Sequence, residues 1–400
     1  MKIFFITSKL NFRTAGGSIE EFDLMIRTLI KLGNEVTAVT AFSYANDIPN
    51  PLPYKLIEEN ITSRGLFGIQ KGIFKILKKY SDQADFFHVD GHNFLYGAGL
   101  YRFLGGRIPV SAFFNRELSS WPENISSLFR APKDSFPVQL KKKLRRWIEK
   151  YFLMPIASHM DIIFYTNPVL RSAYEDFGMR KDPQAQIMGD PIDYPKIFRE
   201  NHISPDDYLK RNKKSGPVAL FYSSRMAPGK GFDLLLTAFS KLKNKDNFRL
   251  ILGGTGPEAG AIRRMISDFK LDPYMKLTGW VTRERLLEMH KEVDIFVQAH
   301  WRTDNTSISL SYAMAFGLPA ILPGGGGLEW VARKSALYFK DEDTDDLAKK
   351  IEQLGNDANL RAELSRNCYK RLGEDEMNHE KQIERWLNKM KDIKSKSLNK

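Results

Sequence analysis

From residue 218 onward, short apolar runs alternate with segments whose apolar residues recur every three or four positions. The runs favour buried strands and the recurring pattern favours helices. The predicted strands are 218–224, 248–253, 274–278, 294–299, 319–323 and 336–339, and the predicted helices are 232–243, 259–270, 283–292 and 308–317. Strands that alternate with helices indicate a parallel α/β sheet.

The N-terminal part starts with the same alternation. Residues 2–8 and 35–41 are predicted as strands on either side of a helix at 19–32, and Gly33 suits the end of that helix. Further strands are predicted at 86–89, 110–114 and 162–165. A turn-rich segment at 188–198 and a polar stretch at 202–217 then separate two α/β domains. We place the first domain at 1–200, the second at 201–375 and a C-terminal helix at 376–400.

Length and composition agree with this division. A chain of 400 residues exceeds the size at which one hydrophobic core stops growing, about 250–300 residues. Its one cysteine, Cys368, excludes a disulfide framework and a thiolate metal site, so we expect a reducing compartment. The start has too short an apolar run for a signal peptide, and no run approaches a membrane span. We therefore expect a cytoplasmic protein. The net charge of +13 leaves room for contact with the inner face of a membrane.

Two cations follow the first strand of the second domain. Arg225 and Lys230 lie in a loop before a predicted helix, and glycines flank Lys230. A guanidinium and an ammonium at the start of a helix can hold a diphosphate. The loop does not match the Walker pattern, because glycine and phenylalanine follow Lys230. The same residues are equally consistent with two solvated surface cations.

A second anion site is predicted where the helix at 308–317 begins. Ser307, Ile308 and Ser309 lie where the unpaired amides of that helix should point out. The polar residues Asp304 and Thr306 come just before them. Ser307 or Thr306 can also act as an ordinary N-cap, and the two roles are compatible.

Several segments together carry a family resemblance. They are SSRMAPGKGFDLLLTAF, LILGGTGPE, LTGWVTRERL, VDIFVQAH, YAMAFGLPAI and GGGGLEW. Over roughly 218–370 the chain resembles glycosyltransferase family 4, the glycosyl transferases group 1 type, and the N-terminal half fits more loosely. The resemblance implies a GT-B fold, in which two Rossmann-like doubly wound domains face each other across a cleft. It also implies that the helix around Trp386 crosses back to the first domain.

The resemblance assigns the donor side residue by residue. Arg225 and Lys230 match the pair that holds the donor diphosphate, and Asp304 takes the place of a glutamate that orients the donor sugar. The helix start at Ser307, Ile308 and Ser309 joins them. Other donor-binding positions are Gly16, Gly17, Gly254, Gly256, Trp280 and Val281. Tyr312 stands where the family carries a second glutamate, and a phenol cannot grip ribose hydroxyls as a carboxylate does.

On the acceptor side, Asn115 stands where the family often has a histidine, and it cannot shuttle protons. His88, Asp90 and His92 lie at the end of a predicted strand and can line the cleft, with Arg116 as a further candidate. A structural polar network is the alternative for this group. Metal binding is the least favoured interpretation, because two histidines and one aspartate at this spacing are a weak pattern. We expect no metal and no cofactor besides a nucleotide-sugar co-substrate.

Residues 138–152 predict a basic amphipathic helix. Its apolar face can rest on an anionic membrane or pack on the core, and packing on the core is the favoured interpretation. Nucleic-acid binding is not expected, because no reader motif accompanies the basic residues.

The resemblance implies a glycosyltransferase that moves a sugar from a nucleotide-diphosphate donor to a hydroxyl acceptor, with retention of configuration. We expect the acceptor to be a glycan or a lipid-linked saccharide. The alternative is a non-catalytic subunit that binds a nucleotide sugar or a glycan, which Tyr312 and Asn115 motivate because both replace ionisable groups.

Overall fold

A computed structural model describes residues 1–13, 17–118, 136–182, 185–211, 216–299 and 305–398. The strands of this part are β1 Lys2–Thr7, β2 Glu35–Thr40, β3 Lys55–Glu58, β4 Phe86–Asp90, β5 Val110–Phe114, β6 Ile162–Tyr165, β7 Gln186–Ile187, β8 Val218–Ser223, β9 Phe248–Gly253, β10 Met275–Gly279, β11 Ile295–Val297, β12 Ala320–Pro323 and β13 Ala336–Phe339. Every strand that the hydrophobic pattern predicts is present, with ends within two residues of those predicted, and β11 is the most shortened, at three residues.

Helices follow most of the strands. They are α1 Gly17–Lys31, α2 Gly65–Lys79, α3 Gly91–Phe103, α4 Phe136–Ile148, α5 Met154–Ala157, α6 Pro168–Asp176, α7 Tyr194–Glu200, α8 Pro205–Arg211, α9 Phe232–Ser240, α10 Ala259–Asp268, α11 Arg283–Glu292, α12 Ile308–Ala315, α13 Gly326–Ala332, α14 Thr344–Asn356, α15 Ala358–Leu372 and α16 His379–Leu398. A π-helical turn, Glu149–Leu153, joins α4 to α5. Among these helices, none is long and apolar enough to cross a membrane.

The chain forms two compact units. Of the described residues, unit 1 takes those up to 193 together with 375–398, and unit 2 takes 194–374. The sequence predicts the corresponding boundaries at residues 200 and 375. In unit 1, the described strands form a parallel sheet in the order β3-β2-β1-β4-β5-β6-β7. In unit 2, the order is β10-β9-β8-β11-β12-β13, again with parallel pairs. Both orders begin like the doubly wound Rossmann arrangement.

The core of unit 1 covers both faces of its sheet. Along β1, Phe4 and Ile6 pack into one apolar cluster and Ile3 and Phe5 into another. Trp386 of α16 is fully buried in the second cluster, with its ring centre 5.7 Å from that of Phe5. Because every second residue of the strand points to the opposite face, apolar residues throughout β1 are needed to fill both clusters.

Helix α4 does not pack its apolar face on the core. Leu140, Leu144 and Trp147 are 57%, 56% and 52% exposed. The interpretation in which this face is buried is therefore wrong. The helical periodicity that predicts α4 is real, but periodicity alone does not identify what covers the apolar side.

Candidate active site

The order of strands in unit 2 places its candidate site. β8 and β11 are neighbours, and the chain leaves them towards opposite edges of the sheet. A crevice opens at the carboxyl ends of strands where the order reverses in this way. The loop that follows β8 carries Arg225 and Lys230, and the segment that follows β11 leads to Ser307 and α12. The topology thus brings the two predicted anion-binding elements to one end of the same sheet.

A buried tyrosine of β8 stabilises the loop that follows this strand. The Tyr222 hydroxyl, buried at the end of β8, donates a hydrogen bond of 2.7 Å to the carbonyl oxygen of Lys230. Burial raises the pKa of Tyr222, so the phenol stays a donor at neutral pH. Gly229 and Gly231 adopt positive φ angles of 78° and 66° on either side of Lys230, a conformation that favours glycine. This fixed turn leads directly into α9.

Backbone hydrogen bonds join the loops after β8, β9 and β10. The amide of Met226 donates to the carbonyl of Thr255 at 2.9 Å, and the amide of Gly254 donates to the carbonyl of Gly279 at 2.6 Å. At Gly254, where φ is 119°, a Cβ atom would lie 1.9 Å from the carbonyl oxygen of Ser224. At Gly256 it would lie 2.3 Å from the carbonyl oxygen of Met226. Both glycines are needed for the close approach of these loops.

The edge of this loop group carries a large aromatic surface and a cation. Trp280, directly after β10, is 73% exposed, whereas Val281 is half-buried. Arg283, the first residue of α11, donates a hydrogen bond of 2.8 Å from Nη2 to the hydroxyl oxygen of Tyr312. Its guanidinium also lies 5.5 Å from the centre of the Tyr312 ring. Arg283 is not among the site residues that the sequence predicts. Its position directly after the GWVT segment could have indicated it.

Helix α12 begins with a side-chain cap. The Ser307 hydroxyl accepts a hydrogen bond of 3.3 Å from the amide of Leu310. Ile308 and Ser309 occupy the first turn, which contains no acidic residue. The first amides of a helix have no partner within it and favour an anion. The predicted residues Asp304 and Gly16 lie outside the described residues.

The prediction that His88 lines an acceptor site is wrong. His88 lies in the core of unit 1 at 2% exposure, with its ring centre 4.7 Å from those of both Phe5 and Trp386. Its Nδ1 lies 2.9 Å from the hydroxyl oxygen of Ser111, which itself donates to the carbonyl of Phe87. Burial lowers the pKa of His88 to about 3, so the ring is neutral and donates through Nδ1.

The other predicted acceptor residues lie where strands of unit 1 end. Asp90 ends β4, and its Oδ1 is 3.2 Å from Nδ1 of His92 in the first turn of α3. Burial lowers the pKa of His92, the Asp90 carboxylate opposes that shift, and Arg116 adds to it. Gly17 starts α1 after β1, which pairs with β4 at the switch point of this sheet.

A buried carboxyl group joins this cluster. Glu21 of α1 is 5% exposed, and its Oε2 accepts a hydrogen bond of 3.3 Å from Nδ2 of Asn115, directly after β5. Burial raises the pKa of Glu21 well above its ordinary value, and the neighbouring Asp190 raises it further. Sequence reasoning missed Glu21, since it follows a glycine loop at the start of an ordinary amphipathic helix. Its neighbour in sequence, Phe22, points into the core.

Among the described residues, no group of three or more His, Cys, Asp or Glu side chains is arranged to hold a metal ion. Five ionisable residues of unit 1 instead form a polar network near the strand ends. They are Glu21, Asp90, His92 and Arg116, with Asp190 beside Glu21.

Comparison with known protein families finds a similarity within the second unit. Residues 206–371 match the family model of the glycosyl transferases group 1. The crevice loops with Arg225, Lys230, Gly254 and Trp280 all lie within the matched residues.

Curated relatives match about half of the chain. A GDP-mannose-dependent alpha-(1-6)-phosphatidylinositol monomannoside mannosyltransferase from Mycobacterium tuberculosis is 24% identical over 219 residues, which cover 52% of this chain and 56% of that protein. A mannosylfructose-phosphate synthase from Agrobacterium fabrum is 25% identical over 199 residues, covering 47% and 43%. The chain thus spans about half the length of the curated relatives it matches.

Solved structures match nearly the whole chain. A sucrose-phosphate synthase from Thermosynechococcus elongatus superposes with a TM-score of 0.75 at 18% identity, covering 98% of each chain. HepE from Anabaena, solved in complex with UDP, gives a TM-score of 0.69 at 14% identity and covers 98% of this chain and 100% of its own. These likenesses concern the fold. They confirm the predicted GT-B fold with two Rossmann-like domains.

Proposed function

We propose that the protein is a glycosyltransferase that moves a sugar from a nucleoside-diphosphate donor to a hydroxyl acceptor, with retention of configuration. One observation carries the proposal. Within the residues that match the glycosyl transferases group 1 model, the loop with Arg225 and Lys230 and the segment that leads to α12 follow the two strands at the switch point of one sheet. The names of the relatives support a nucleotide-sugar donor, since one depends on GDP-mannose and a structural neighbour was solved with UDP.

In the proposed reaction, the bond between the anomeric carbon and the diphosphate oxygen breaks and the nucleoside diphosphate leaves. The acceptor oxygen forms the new bond to that carbon. The acceptor hydroxyl loses its proton, which the departing diphosphate can take up. Arg225, Lys230 and the amides at Ser307–Ser309 would stabilise the charge that develops on the diphosphate. Asp304 would orient the donor sugar, and catalysis would consist mostly of positioning and electrostatics.

We assign the acceptor side to Gly17, Asp90, His92, Asn115 and Arg116, which lie at strand ends of unit 1. Glu21 is added to this set as a positioning residue, because its carboxyl group accepts the hydrogen bond from Asn115. The acceptor would be a glycan or a lipid-linked saccharide. No metal is proposed, because cationic side chains and helix amides would neutralise the leaving group.

Lys230→Ala tests the donor side. A charge-assisted hydrogen bond contributes about 1.5–3 kcal/mol, so its loss should lower kcat/KM by roughly 10–150-fold. The measurement is release of nucleoside diphosphate from a set of nucleotide sugars, with the anomeric configuration of the product read by NMR. Exposed Lys243→Ala, beyond the far end of α9, is the matched control and should retain activity.

Two results would contradict the proposal. Equal activity of Lys230→Ala and the native protein would remove Lys230 from the donor site. Nucleotide-sugar binding without turnover, across plausible acceptors, would support the non-catalytic binding subunit instead. An inverted product would refute retention alone.

We also propose that residues 138–152 contact an anionic membrane surface. The exposed apolar face of α4 favours this contact, and Lys141, Lys142 and Lys143 would lie against the headgroups. Cosedimentation with vesicles that contain phosphatidylglycerol should fall sharply in Lys141→Glu/Lys143→Glu. Binding that persists in this variant would refute the contact.

A further inference from the structure

A partly open apolar cavity lies within unit 1. It has a volume of about 330 Å³ and lies between α2, α3 and the chain from the π-helical turn to α5. Most of its lining is aliphatic or aromatic: Leu66, Phe67, Phe74, Leu100, Leu153 and Ile156. An apolar cavity of about 150 Å³ is already large enough to bind benzene, so this one can accept a longer hydrocarbon.

Two polar side chains in the wall, Gln70 and Tyr96, are buried. Gln70 donates from Nε2 to the carbonyl of Asn93 at 2.7 Å, and its Oε1 accepts from the amide of Gly97 at 2.7 Å. Tyr96 is 4% exposed, and burial together with nearby Glu149 raises the pKa of its phenol. Because Gln70 has its partners elsewhere and most of the lining is apolar, the wall favours an alkyl chain.

Exposed aromatic residues lie beside the cavity. Phe67 lines it and is still 67% exposed. The ring centre of Trp147 lies 6.0 Å from that of Tyr151 and 5.2 Å from that of Phe152, and all three side chains are more than half exposed. Leu153, the residue after Phe152, is part of the wall. An apolar surface thus runs along the chain from α4 into the cavity.

The charges that α2 and α4 contribute around this surface have one sign, and the acidic residue beside it, Glu149 of the π-helical turn, is buried and paired with Arg145. Neither α2 nor α4 contains an acidic residue, while α2 carries four lysines and α4 carries three lysines and two arginines. Lys71 lines the cavity and is exposed, so its ammonium group can reach solvent at the edge. An occupant with an alkyl chain and an anionic head fits both features.

We infer that this cavity binds an acyl chain of an anionic membrane lipid, with the headgroup near Lys71. The inference deepens the membrane contact proposed above and rests on it for the source of the lipid. The acyl chain would leave the bilayer core and occupy the cavity, while α4 lies on the headgroups. Transfer of alkyl surface from water into such an apolar site is favourable in proportion to the area buried.

The test fills the cavity without changing its charge. Leu100→Trp places a larger side chain in the wall, and Leu104→Trp, on an exposed residue just beyond the end of α3, is the matched control. The probe is cis-parinaric acid, a fluorescent fatty acid, titrated below its aggregation concentration in the absence of vesicles. We expect saturable binding to the native protein, at least tenfold weaker binding to Leu100→Trp, and unchanged binding to Leu104→Trp.

A second arm separates the cavity from the membrane contact. Lys141→Glu/Lys143→Glu should lose vesicle binding but keep parinaric acid binding, because neither lysine lines the cavity. Circular dichroism establishes that each variant is folded, and Leu100→Phe serves if Leu100→Trp is not. The inference is overturned if the native protein shows no saturable binding or if the filled cavity binds the probe equally well. It is also overturned if sedimentation shows a dimer that Leu100→Trp dissociates, since a second copy would then be the occupant.

Discussion

The joined loops at the carboxyl edge of unit 2 make a sharp prediction for Gly254→Ala. The new Cβ would lie 1.9 Å from the carbonyl oxygen of Ser224, at a φ of 119°. Ordinary contacts at this distance do not occur, so the loop after β9 must move away from the loop after β8. Movement would break the 2.6 Å hydrogen bond from the Gly254 amide to Gly279.

The magnitude follows from the backbone strain and the lost bond. An unfavourable φ costs about 1–3 kcal/mol, and a lost hydrogen bond adds about 1 kcal/mol. For a domain of about 150–250 residues, each kcal/mol shifts Tm by roughly 2–4 °C. We therefore expect Gly254→Ala to lower the Tm of unit 2 by about 4–16 °C. It should also weaken binding of nucleoside diphosphates, because the displaced loop supports Arg225.

Gly260→Ala is the matched control. Gly260 lies in α10, and a Cβ there would meet only Nη1 of Arg264, at 4.0 Å. Alanine is favoured over glycine in a helix by about 0.8–1.0 kcal/mol, so this variant should be slightly more stable than the native protein. Differential scanning calorimetry and a nucleotide-diphosphate thermal-shift series measure both effects. If Gly254→Ala proves as stable as Gly260→Ala and binds nucleotides normally, the argument from loop contact is wrong.

Three further predictions concern single side chains. His88→Gln should reduce, by about 1 kcal/mol, the stability that the protein loses when the pH falls from 7.5 to 5.5. The pKa of His88 is lowered to about 3, so the neutral ring stabilises the fold above pH 6.5, and this contribution is lost as the pH falls. Urea midpoints that depend on pH identically in the variant and the native protein would contradict this. Glu21→Gln should raise the urea midpoint above that of the native protein at pH 8 but not at pH 4. A carboxyl group with a raised pKa contributes stability that is lost as the pH rises through that pKa, and glutamine has no such loss. No gain at pH 8 would count against the buried carboxyl. Tyr312→Phe removes the hydroxyl that accepts a hydrogen bond from Arg283 and should weaken nucleotide binding several-fold. Tyr312→Glu should tighten it. Calorimetry measures both, and unchanged binding would mean that Arg283 and Tyr312 have only a structural role.

The hydrophobic pattern predicts most of the sheet, because buried parallel strands leave strong apolar runs such as those of β1 and β8. It does not predict β3, whose four residues are exposed or half-buried and give no clear run. It also misses α13, which begins inside four consecutive glycines that resemble a loop. Local sequence fails in both cases because contacts with distant residues determine the element.

The candidate site, like the fold, is predicted only in part from the sequence. The donor loops follow from motifs with glycines at fixed positions, and Gly254 and Gly256 lie where their missing side chains matter. The sequence did not predict that His88 is buried. A histidine near the end of a strand that is buried on both faces can point into the core or towards the end of the strand. The direction was set by Trp386, almost three hundred residues later in the chain.

The position of Trp386 has a consequence for synthesis on the ribosome. Phe5 and Phe164 emerge early, but the indole that fills the space between them lies in α16, after the whole of unit 2 has been translated. The core of the first unit therefore stays incomplete on the ribosome until translation is nearly over. A stop codon shortly after residue 374 would release a polypeptide whose second unit is intact and whose first unit is a substrate for chaperones and proteases.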